Sequence, residues 1–333
     1  MFCLEPTVVR IGPSRSRRSQ SGGAAHGPAR ASHFTVSSER PRFIPILKAL
    51  TAVIVWGASF IATKVVLADI SPPVLVWLRF AIGFGILGVV VAGRGELAWV
   101  EPRELAYFAL LGLLGVTLHQ WLQSNGLMTA QASTTAWIVS TSPVFIAILG
   151  FLVLGERIGL LRATGIGLAA LGVLLVVGKG RFDSLWTGGF GTPGDRLILF
   201  SAPNWAVFSV LSRRGLRRHP AARMMFYVMG LGWLLTTPLL RGGPGLGEVA
   251  HLTRAGWAGL AFLGVFCSGV AYVFWYDALR VMPASHVGAL LYLEPLVTII
   301  VARLVLGEVI SSASLAGGAL ILFGVWVVDR RPG

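Results

Sequence analysis

The sequence places one carboxylate, Glu294, near the centre of a continuously apolar segment. Ionisable side chains at that depth in a membrane are costly to bury, and they usually face a cavity or a partner. A carboxyl group in such a place could take up and release protons, so Glu294 is the candidate proton-coupling residue. The alternative is structural, because the ring of Pro295 leaves one helix carbonyl without a donor and Glu294 could bond the neighbouring backbone.

A polar face is predicted on another apolar segment. His119, Gln120, Gln123 and Ser124 are separated by spacings of three and four, which puts them on one side of a helix. Because a polar face in a membrane helix avoids lipid, we expect these side chains to line a cavity and to bind a solute. Hydrogen bonding between helices is the alternative.

The positions 152 residues after this polar face carry mainly aromatic side chains, Tyr272, Trp275 and Tyr276. A cleft with amides on one wall and rings on the other suits a small amphipathic or aromatic solute, or an organic cation held over the rings. The same rings could instead anchor the chain at the membrane interface.

Charged residues near or within the apolar segments give further candidates. Arg79 needs a partner at its depth, and a carboxylate, a substrate anion or a backbone contact would serve. Lys64 is expected to extend toward water, and Asp277 and Arg280 are expected to form a local surface pair. Four more candidates for the cavity wall lie on the first helix of each half of the chain: Trp56, Ser59, Asn204 and Trp205.

The elements that hold these residues are predicted to be membrane helices. Hydrophobic residues make up 55% of the chain and charged residues 13%, outside the usual range of soluble proteins. About ten runs are long enough to cross a bilayer, and they are too continuously apolar for a β-barrel. The predicted helices lie near 46–67, 73–93, 105–127, 131–154, 161–178, 194–212, 223–241, 255–279, 285–307 and 312–328.

The chain is a duplicated unit. Ala132-Ser133, Pro143 and Leu154-Gly155-Glu156 recur 152 positions later as Ala284-Ser285, Pro295 and Leu306-Gly307-Glu308, and Gly165 and Gly172 recur as Gly317 and Gly324. We predict two five-helix repeats, 46–178 and 194–328, after a disordered basic tail at 1–42. The tail could instead be a transit peptide or reflect a start assigned too early. Pro143 and Pro295 are candidate hinges in mid-helix, with a fixed packing kink as the alternative.

Charge distribution predicts the orientation. With a cytoplasmic amino terminus, twelve Lys and Arg in the loops and carboxyl-terminal tail fall on the cytoplasmic side and six fall outside. Both termini are therefore predicted to be cytoplasmic. Since each repeat has an odd number of helices, the second enters the membrane inverted, an architecture typical of alternating-access transporters.

The order of these motifs resembles a known family. Trp56-Gly57-Ala58-Ser59-Phe60, Pro72-Pro73, Arg79-Phe80 and the two proline and Leu-Gly-Glu signatures are similar to the EamA family of drug/metabolite transporters. The resemblance covers nearly all of 46–328. It implies ten helices in two repeats, a bacterial inner (plasma) membrane, and export of small metabolites such as amino acids or of drugs.

Several function classes are disfavoured. The chain lacks a phosphate-binding G-x-x-x-x-G-K-[ST] loop, and two cysteines are too few for a metal cluster or a disulfide framework, so we predict no cofactor. A nucleic-acid role for the basic tail is disfavoured because its aromatic residues are sparse. We expect a secondary exporter of a small organic solute, possessing no enzyme activity. An importer or facilitator is the alternative within transport, and a membrane enzyme or scaffold is the alternative outside it.

Overall fold

The structure is a computed structural model that describes residues 43–154, 159–181, 191–243, 245–282 and 284–329. Every regular element within these ranges is helical. The basic tail at 1–42 and Glu156 of the first Leu-Gly-Glu signature lie outside the described residues.

The first repeat contains six helical segments. They are α1 (Phe43–Leu67), α2 (Pro72–Gly93), α3 (Pro102–Leu127), α4 (Ala132–Val139), α5 (Ser142–Leu154) and α6 (Leu160–Val177). Both α2 and α3 begin with proline in the first turn. A proline is tolerated there because the first N–H groups of a helix have no partner within it.

The second repeat also contains six helical segments. They are α7 (Pro193–Arg218), α8 (Ala221–Thr236), α9 (Arg254–Val281), α10 (Ala284–Ala289), α11 (Glu294–Val305) and α12 (Ser312–Asp329). Short 3-10 segments follow α8 and join α10 to α11. At the start of α7, Thr192 and Asp195 form a capping box.

Eight membrane spans are long and apolar enough to cross a bilayer in the part of the chain that the structure describes. They are α1, α2, α3, α4 with α5, α6, α9, α10 with α11, and α12. The all-helical membrane class and eight of the ten predicted spans are therefore confirmed. The other two predicted spans correspond to α7, which carries Asn204 and charged residues near both ends, and to α8, which has 16 residues. For these two, the ten-span arrangement stays a prediction.

The two candidate hinge prolines begin helices. Pro143 is the second residue of α5, after a break at 140–141, and Pro295 is the second residue of α11, after the 3-10 turn Leu290–Leu293. Each proline therefore follows a break in its apolar segment rather than lying inside a continuous helix, and its role as a hinge stays a prediction. Each spanning segment is already broken before its proline, where a missing N–H costs no helical hydrogen bond.

The last helices of the two repeats, α6 and α12, cross at glycines. Gly165 approaches the carbonyl of Gly324, and Gly172 approaches that of Gly317, so the two helices run antiparallel. A Cβ atom at Gly172 would lie 2.5 Å from the Gly317 carbonyl oxygen. Small residues at this crossing let two backbones pack closely, which is how helices associate in lipid.

At one end of the bundle, here called the Glu308 end, acidic side chains cap helices of the opposite repeat. Glu308 accepts hydrogen bonds from Ala132 N at 2.7 Å and from Ser133 N at 3.1 Å, at the start of α4. Asp69 likewise accepts from Thr253 N, at the start of α9. Glu248 accepts from Ser71 N, at the start of α2. These acceptors use N–H groups that a helix start leaves unpaired.

Lys64 also lies at the Glu308 end. Its ammonium donates to the carbonyls of Leu127 at 3.2 Å and Ala130 at 2.6 Å, where α3 ends. The expectation that Lys64 extends toward water is therefore wrong, because the unpaired carbonyls at the end of α3 are within its reach.

The opposite end, here called the Asp277 end, is held by ion pairs between the repeats. Asp277 contacts Lys48 at 2.7 Å and Arg94 at 2.8 Å. The other pairs join Glu96 to Arg280, and Glu104 to Arg214, Arg218 and His219. The expected local pair of Asp277 with Arg280 is wrong, because both side chains bond to residues of the first repeat.

Candidate functional site

A central cavity of about 240 Å³ lies between the two repeats. Nearly all of the predicted site residues line it: Trp56, Ser59, Arg79, His119, Gln120, Gln123, Trp205, Tyr272, Trp275, Tyr276, Glu294, Pro143 and Pro295. The helical spacing in α3 therefore predicted correctly which side chains share a face. Asn204 is the predicted site residue that is absent from the cavity wall.

Arg79 of α2 is a buried cation with neutral partners. Its guanidinium donates to Ser268 Oγ at 3.2 Å, to Cys267 Sγ at 3.1 Å and to Gln120 Oε1 at 3.3 Å. It also lies 5.2 Å from the centroid of the Phe80 ring. Among the described residues no carboxylate pairs with it. A guanidinium held this way can bind a carboxylate that enters the cavity.

Glu294 is the first residue of α11 and lines the same cavity. Its side chain is half-buried, and within the described ranges its carboxyl group has no hydrogen-bond partner. The backbone around it is firmly held, since Thr298 Oγ1 donates both to the Glu294 carbonyl at 3.0 Å and to the Gly57 carbonyl at 2.8 Å. The carboxyl group therefore sits on a fixed backbone and remains available to a cation or a proton.

An aromatic wall stands next to these charges. The Trp56 ring lies 5.6 Å from that of Tyr272 and 5.2 Å from that of Trp275, between ring centroids. Trp56 Nε1 donates to the Cys267 carbonyl at 3.3 Å, which fixes the ring. Tilted rings of this kind offer both faces and edges to an apolar or cationic group.

The face of α3 that lines the cavity is polar. His119 is buried against the ring of Trp205, at 4.8 Å between centroids, and its buried Nδ1 has no hydrogen-bond partner in the part of the chain that the structure describes. Gln123 and Ser124 are also buried on this face of α3. Buried polar atoms are normally hydrogen-bonded, so an unpaired ring nitrogen marks a position that a donor could occupy.

Local helix irregularities position both walls. A π-helical stretch, Leu113–Leu118, directly precedes His119 in α3, and another, Phe262–Val270, directly precedes Ala271 in α9. The last six residues of the second stretch are the 152-residue counterparts of the first. A π-helical stretch carries extra residues per turn and so rotates the side chains that follow it. A π-helical stretch therefore turns the amides of α3 toward the cavity, and its counterpart turns the rings of α9 toward it.

Asn204 supports one of these stretches. Its side-chain amide donates to the Leu114 carbonyl at 2.8 Å, so it holds the π-helical part of α3 rather than a solute. Trp56 does the equivalent for α9 through the Cys267 carbonyl. A polar residue in an apolar helix can support the backbone of a neighbouring helix or bind a solute, and sequence spacing does not distinguish these two roles.

Sequence reasoning missed several cavity residues. Tyr292 and Asp329 line the cavity, and the Tyr292 hydroxyl donates to the Asp329 carboxylate. Ser140 and Ser142 line it where α4 gives way to α5, and Met225 of α8 contributes an apolar surface. Asp329 and Tyr292 are 37 positions apart, and no spacing rule brings them together.

Comparison with known proteins agrees with this geometry. The sequence model of the EamA-like transporter family matches residues 43–178 and again residues 192–329. The chain belongs to the EamA-like transporter family. It is a multi-pass membrane transporter, and the family match confirms the resemblance drawn from its motifs.

Individual relatives of this EamA transporter cover most of its length. An uncharacterized transporter of Archaeoglobus fulgidus is 30% identical over 86% of the chain and 97% of the relative. A probable terminal-alkyne amino-acid exporter of Streptantibioticus cattleyicolor is 28% identical over 84% of the chain and 91% of the relative. A solved crystal structure superposes with a TM-score of 0.61 over 86% of this chain and 96% of the other, at 22% identity, and supports the fold.

Proposed function

We propose that this transporter exports a small zwitterionic metabolite of the amino-acid type from the cytoplasm. The observation that carries the proposal is the pair of opposite charges that line one cavity, Arg79 and Glu294, which do not pair with each other. A free α-amino acid presents a carboxylate and an ammonium group a few ångströms apart. Arg79 would bind the carboxylate and Glu294 the ammonium group.

Cavity size favours a small solute. Sites for drug-sized ligands usually measure about 300–1,000 Å³. The cavity here is about 240 Å³, which suits an amino acid better than a large drug. The rings of Trp56, Tyr272 and Trp275 would hold an apolar side chain, and Gln120 and Gln123 would orient polar groups.

Transport would proceed by alternating access between two inverted repeats. The antiparallel crossing of α6 and α12 supports inversion, because equivalent helices that pair in this way are related by a two-fold axis across them. The broken segments at Ser140–Thr141 and Leu290–Leu293 both line the cavity and would supply the hinges. Both termini would then face the cytoplasm of a cell whose plasma membrane holds the protein.

Glu294 would couple export to protons. A carboxyl group with no protein partner can hold either a proton or a substrate ammonium group, and competition between the two links their movements. Release of the substrate outside would then be accompanied by proton uptake. Export as the direction is supported by the name of the Streptantibioticus cattleyicolor relative.

Flux in proteoliposomes tests the proposal. Labelled amino acids, the matching amines and carboxylates, and amphipathic cations would be supplied with and without a pH gradient. We expect gradient-dependent flux for zwitterions, and its loss in Glu294→Gln and in Arg79→Gln. Glu101→Gln is the control, because Glu101 is exposed and makes no capping hydrogen bond.

Each competing function has its own outcome in this assay. Equal flux without a gradient in wild type and in Glu294→Gln would indicate a facilitator or importer. Preference for amphipathic cations over zwitterions would favour the aromatic wall as the binding element, with Trp56 and Tyr272 holding the cation. Failure of every solute to cross would favour a membrane enzyme or a scaffold.

Cysteine labelling tests the inverted arrangement independently. Cysteines placed beside Glu156 and beside Glu308 should react with a membrane-impermeant reagent from opposite faces. Labelling of both from one face would contradict inversion, whatever the substrate proves to be.

A further inference from the structure

We propose that Glu308 is a positioning residue that closes the Glu308 end of the cavity by holding α4 of the first repeat to α11 of the second. This inference rests on the proposed alternating access, but not on the identity of the solute. It also assigns a role to two motifs that the cavity does not use, the Ala-Ser pair and the Leu-Gly-Glu signature.

The contact is a complete cap that joins the repeats. One carboxylate oxygen of Glu308 accepts from Ala132 N at 2.7 Å, and the other accepts from Ser133 N at 3.1 Å and Ser133 Oγ at 2.7 Å. All three donors lie in the first two residues of α4. A negative charge at a helix start also interacts favourably with the helix dipole.

The two helices joined by this cap are those whose movement would open the cavity. The break after α4 brings Ser140 and Ser142 to the cavity, and Glu294 and Pro295 at the start of α11 line the same cavity. Glu308 follows α11 by three residues. It therefore holds the far end of each moving segment, at the greatest distance from the breaks.

Neighbouring charge strengthens the cap. Lys64 of α1 holds the end of α3 through the Leu127 and Ala130 carbonyls, and its ammonium lies within electrostatic range of Glu308. A cation at the end of α3 and an anion at the start of α4 each interact favourably with the dipole of that helix. The connection between α3 and α4 is thereby fixed from both sides.

The test measures which end of the cavity is open. Leu127→Cys lies on the cavity wall at the Glu308 end, and Leu279→Cys lies on the wall near the Asp277 end. Each would be made with Cys3 and Cys267 replaced by serine, and its reaction rate with a membrane-impermeant maleimide measured in purified protein. Because Cys267 accepts from Arg79, every rate is compared with that of the same cysteine in the serine-replaced protein that keeps Glu308. Because the assay contains no substrate, its result does not depend on what is transported.

We expect Glu308→Gln to raise the rate at Leu127→Cys and lower the rate at Leu279→Cys. The ratio of the two rates should change roughly tenfold, which corresponds to the low end of the free energy of a hydrogen bond to a charged group. Glu308→Asp should partly restore the wild-type ratio, and Glu101→Gln should leave it unchanged. General loosening of the fold would raise both labelling rates, so it would not change them in opposite directions.

A second variant keeps the test valid if Glu308→Gln fails to fold. Ser133→Ala removes only the hydroxyl donor and should shift the ratio in the same direction by a smaller factor. An unchanged ratio in both variants, or a parallel rise at both cysteines, would overturn the proposal. The expected change in ratio, found together with no amino-acid flux in the wild type, would count against the proposed substrate instead.

Discussion

The two ends of the bundle are both held by contacts between the repeats, but the contacts are of different kinds. At the Glu308 end, Glu308, Glu248 and Asp69 accept hydrogen bonds from backbone N–H groups at helix starts. At the Asp277 end, ion pairs that involve partly exposed Lys and Arg side chains, such as Arg280 and Arg218, lie beside hydrogen bonds from Arg223 and Tyr227 to backbone carbonyls of the first repeat.

This difference sets how each end responds to its surroundings. A cap pairs a backbone donor that is otherwise left unpaired, so breaking it leaves that donor unsatisfied. An exposed ion pair is screened by salt and can exchange its partner for water. We therefore expect the Asp277 end to open more readily than the Glu308 end.

The largest effect is expected from locking either end. Ser133→Cys with Glu308→Cys, joined by a short bismaleimide, should abolish nearly all flux, and Arg94→Cys with Asp277→Cys should do the same at the other end. Alternating access needs both ends to open in turn, so either lock stops the cycle. Flux would be measured in proteoliposomes, with singly labelled cysteine variants as controls. Persistent flux through a fully cross-linked protein would contradict movement at that end.

A smaller effect is expected from salt. Raising ionic strength from about 0.05 M to about 0.5 M shortens the screening length by roughly threefold and should raise the labelling rate of Leu279→Cys severalfold. The rate at Leu127→Cys should hardly change. Equal responses at the two positions would show that the ends do not differ in the way their contacts suggest.

Asp277→Asn should destabilise the protein by about 1–2 kcal/mol, because Lys48 and Arg94 both lose a carboxylate while their own side chains stay partly exposed. Thermal unfolding in detergent would report the change, with Glu101→Gln as the reference for loss of an unpaired charge. A loss of thermal stability equal to that of Glu101→Gln would mean that the ion pairs of Asp277 contribute nothing to stability.

The smallest effect is expected at a single cap. Thr253→Ala removes the hydroxyl that accepts from Gly256 N at 3.0 Å and donates to Asp69 at 2.7 Å, and loss of such a cap costs about 1 kcal/mol. The same thermal assay applies, now at low and high salt. Because the hydroxyl carries no charge, the loss of stability should be the same at low and at high salt. The loss in Asp277→Asn should instead be smaller at high salt.

Much of the fold follows from local rules that the sequence obeys. Apolar length predicted most helices to within a few residues, as for α2, expected near 73–93 and found at Pro72–Gly93. Helical spacing placed His119, Gln120 and Gln123 on one face, and that face lines the cavity. Duplication identified the glycines at which α6 and α12 cross.

The errors arise where a partner lies far away in sequence. Asp277 and Arg280 are suitably spaced for a local pair, yet Asp277 bonds to Lys48, which is 229 positions away. Asn204 has the polarity of a cavity residue, but a π-helical carbonyl of α3 takes its amide. Neither π-helical stretch has a residue pattern of its own, so the rotation that aims the cavity side chains was not predictable from spacing.

The glycine crossing of α6 and α12 bears on how such a chain could arise. Gly165 meets Gly324 while Gly172 meets Gly317, so each repeat presents the same two glycines to the same two glycines of the other. A surface of this kind is self-complementary. Two separate copies of one five-helix chain, inserted in opposite orientations, could pair through it before any fusion of their genes. Fusion would then have freed each copy to diverge, with amides kept on one wall of the cavity and aromatic rings on the other.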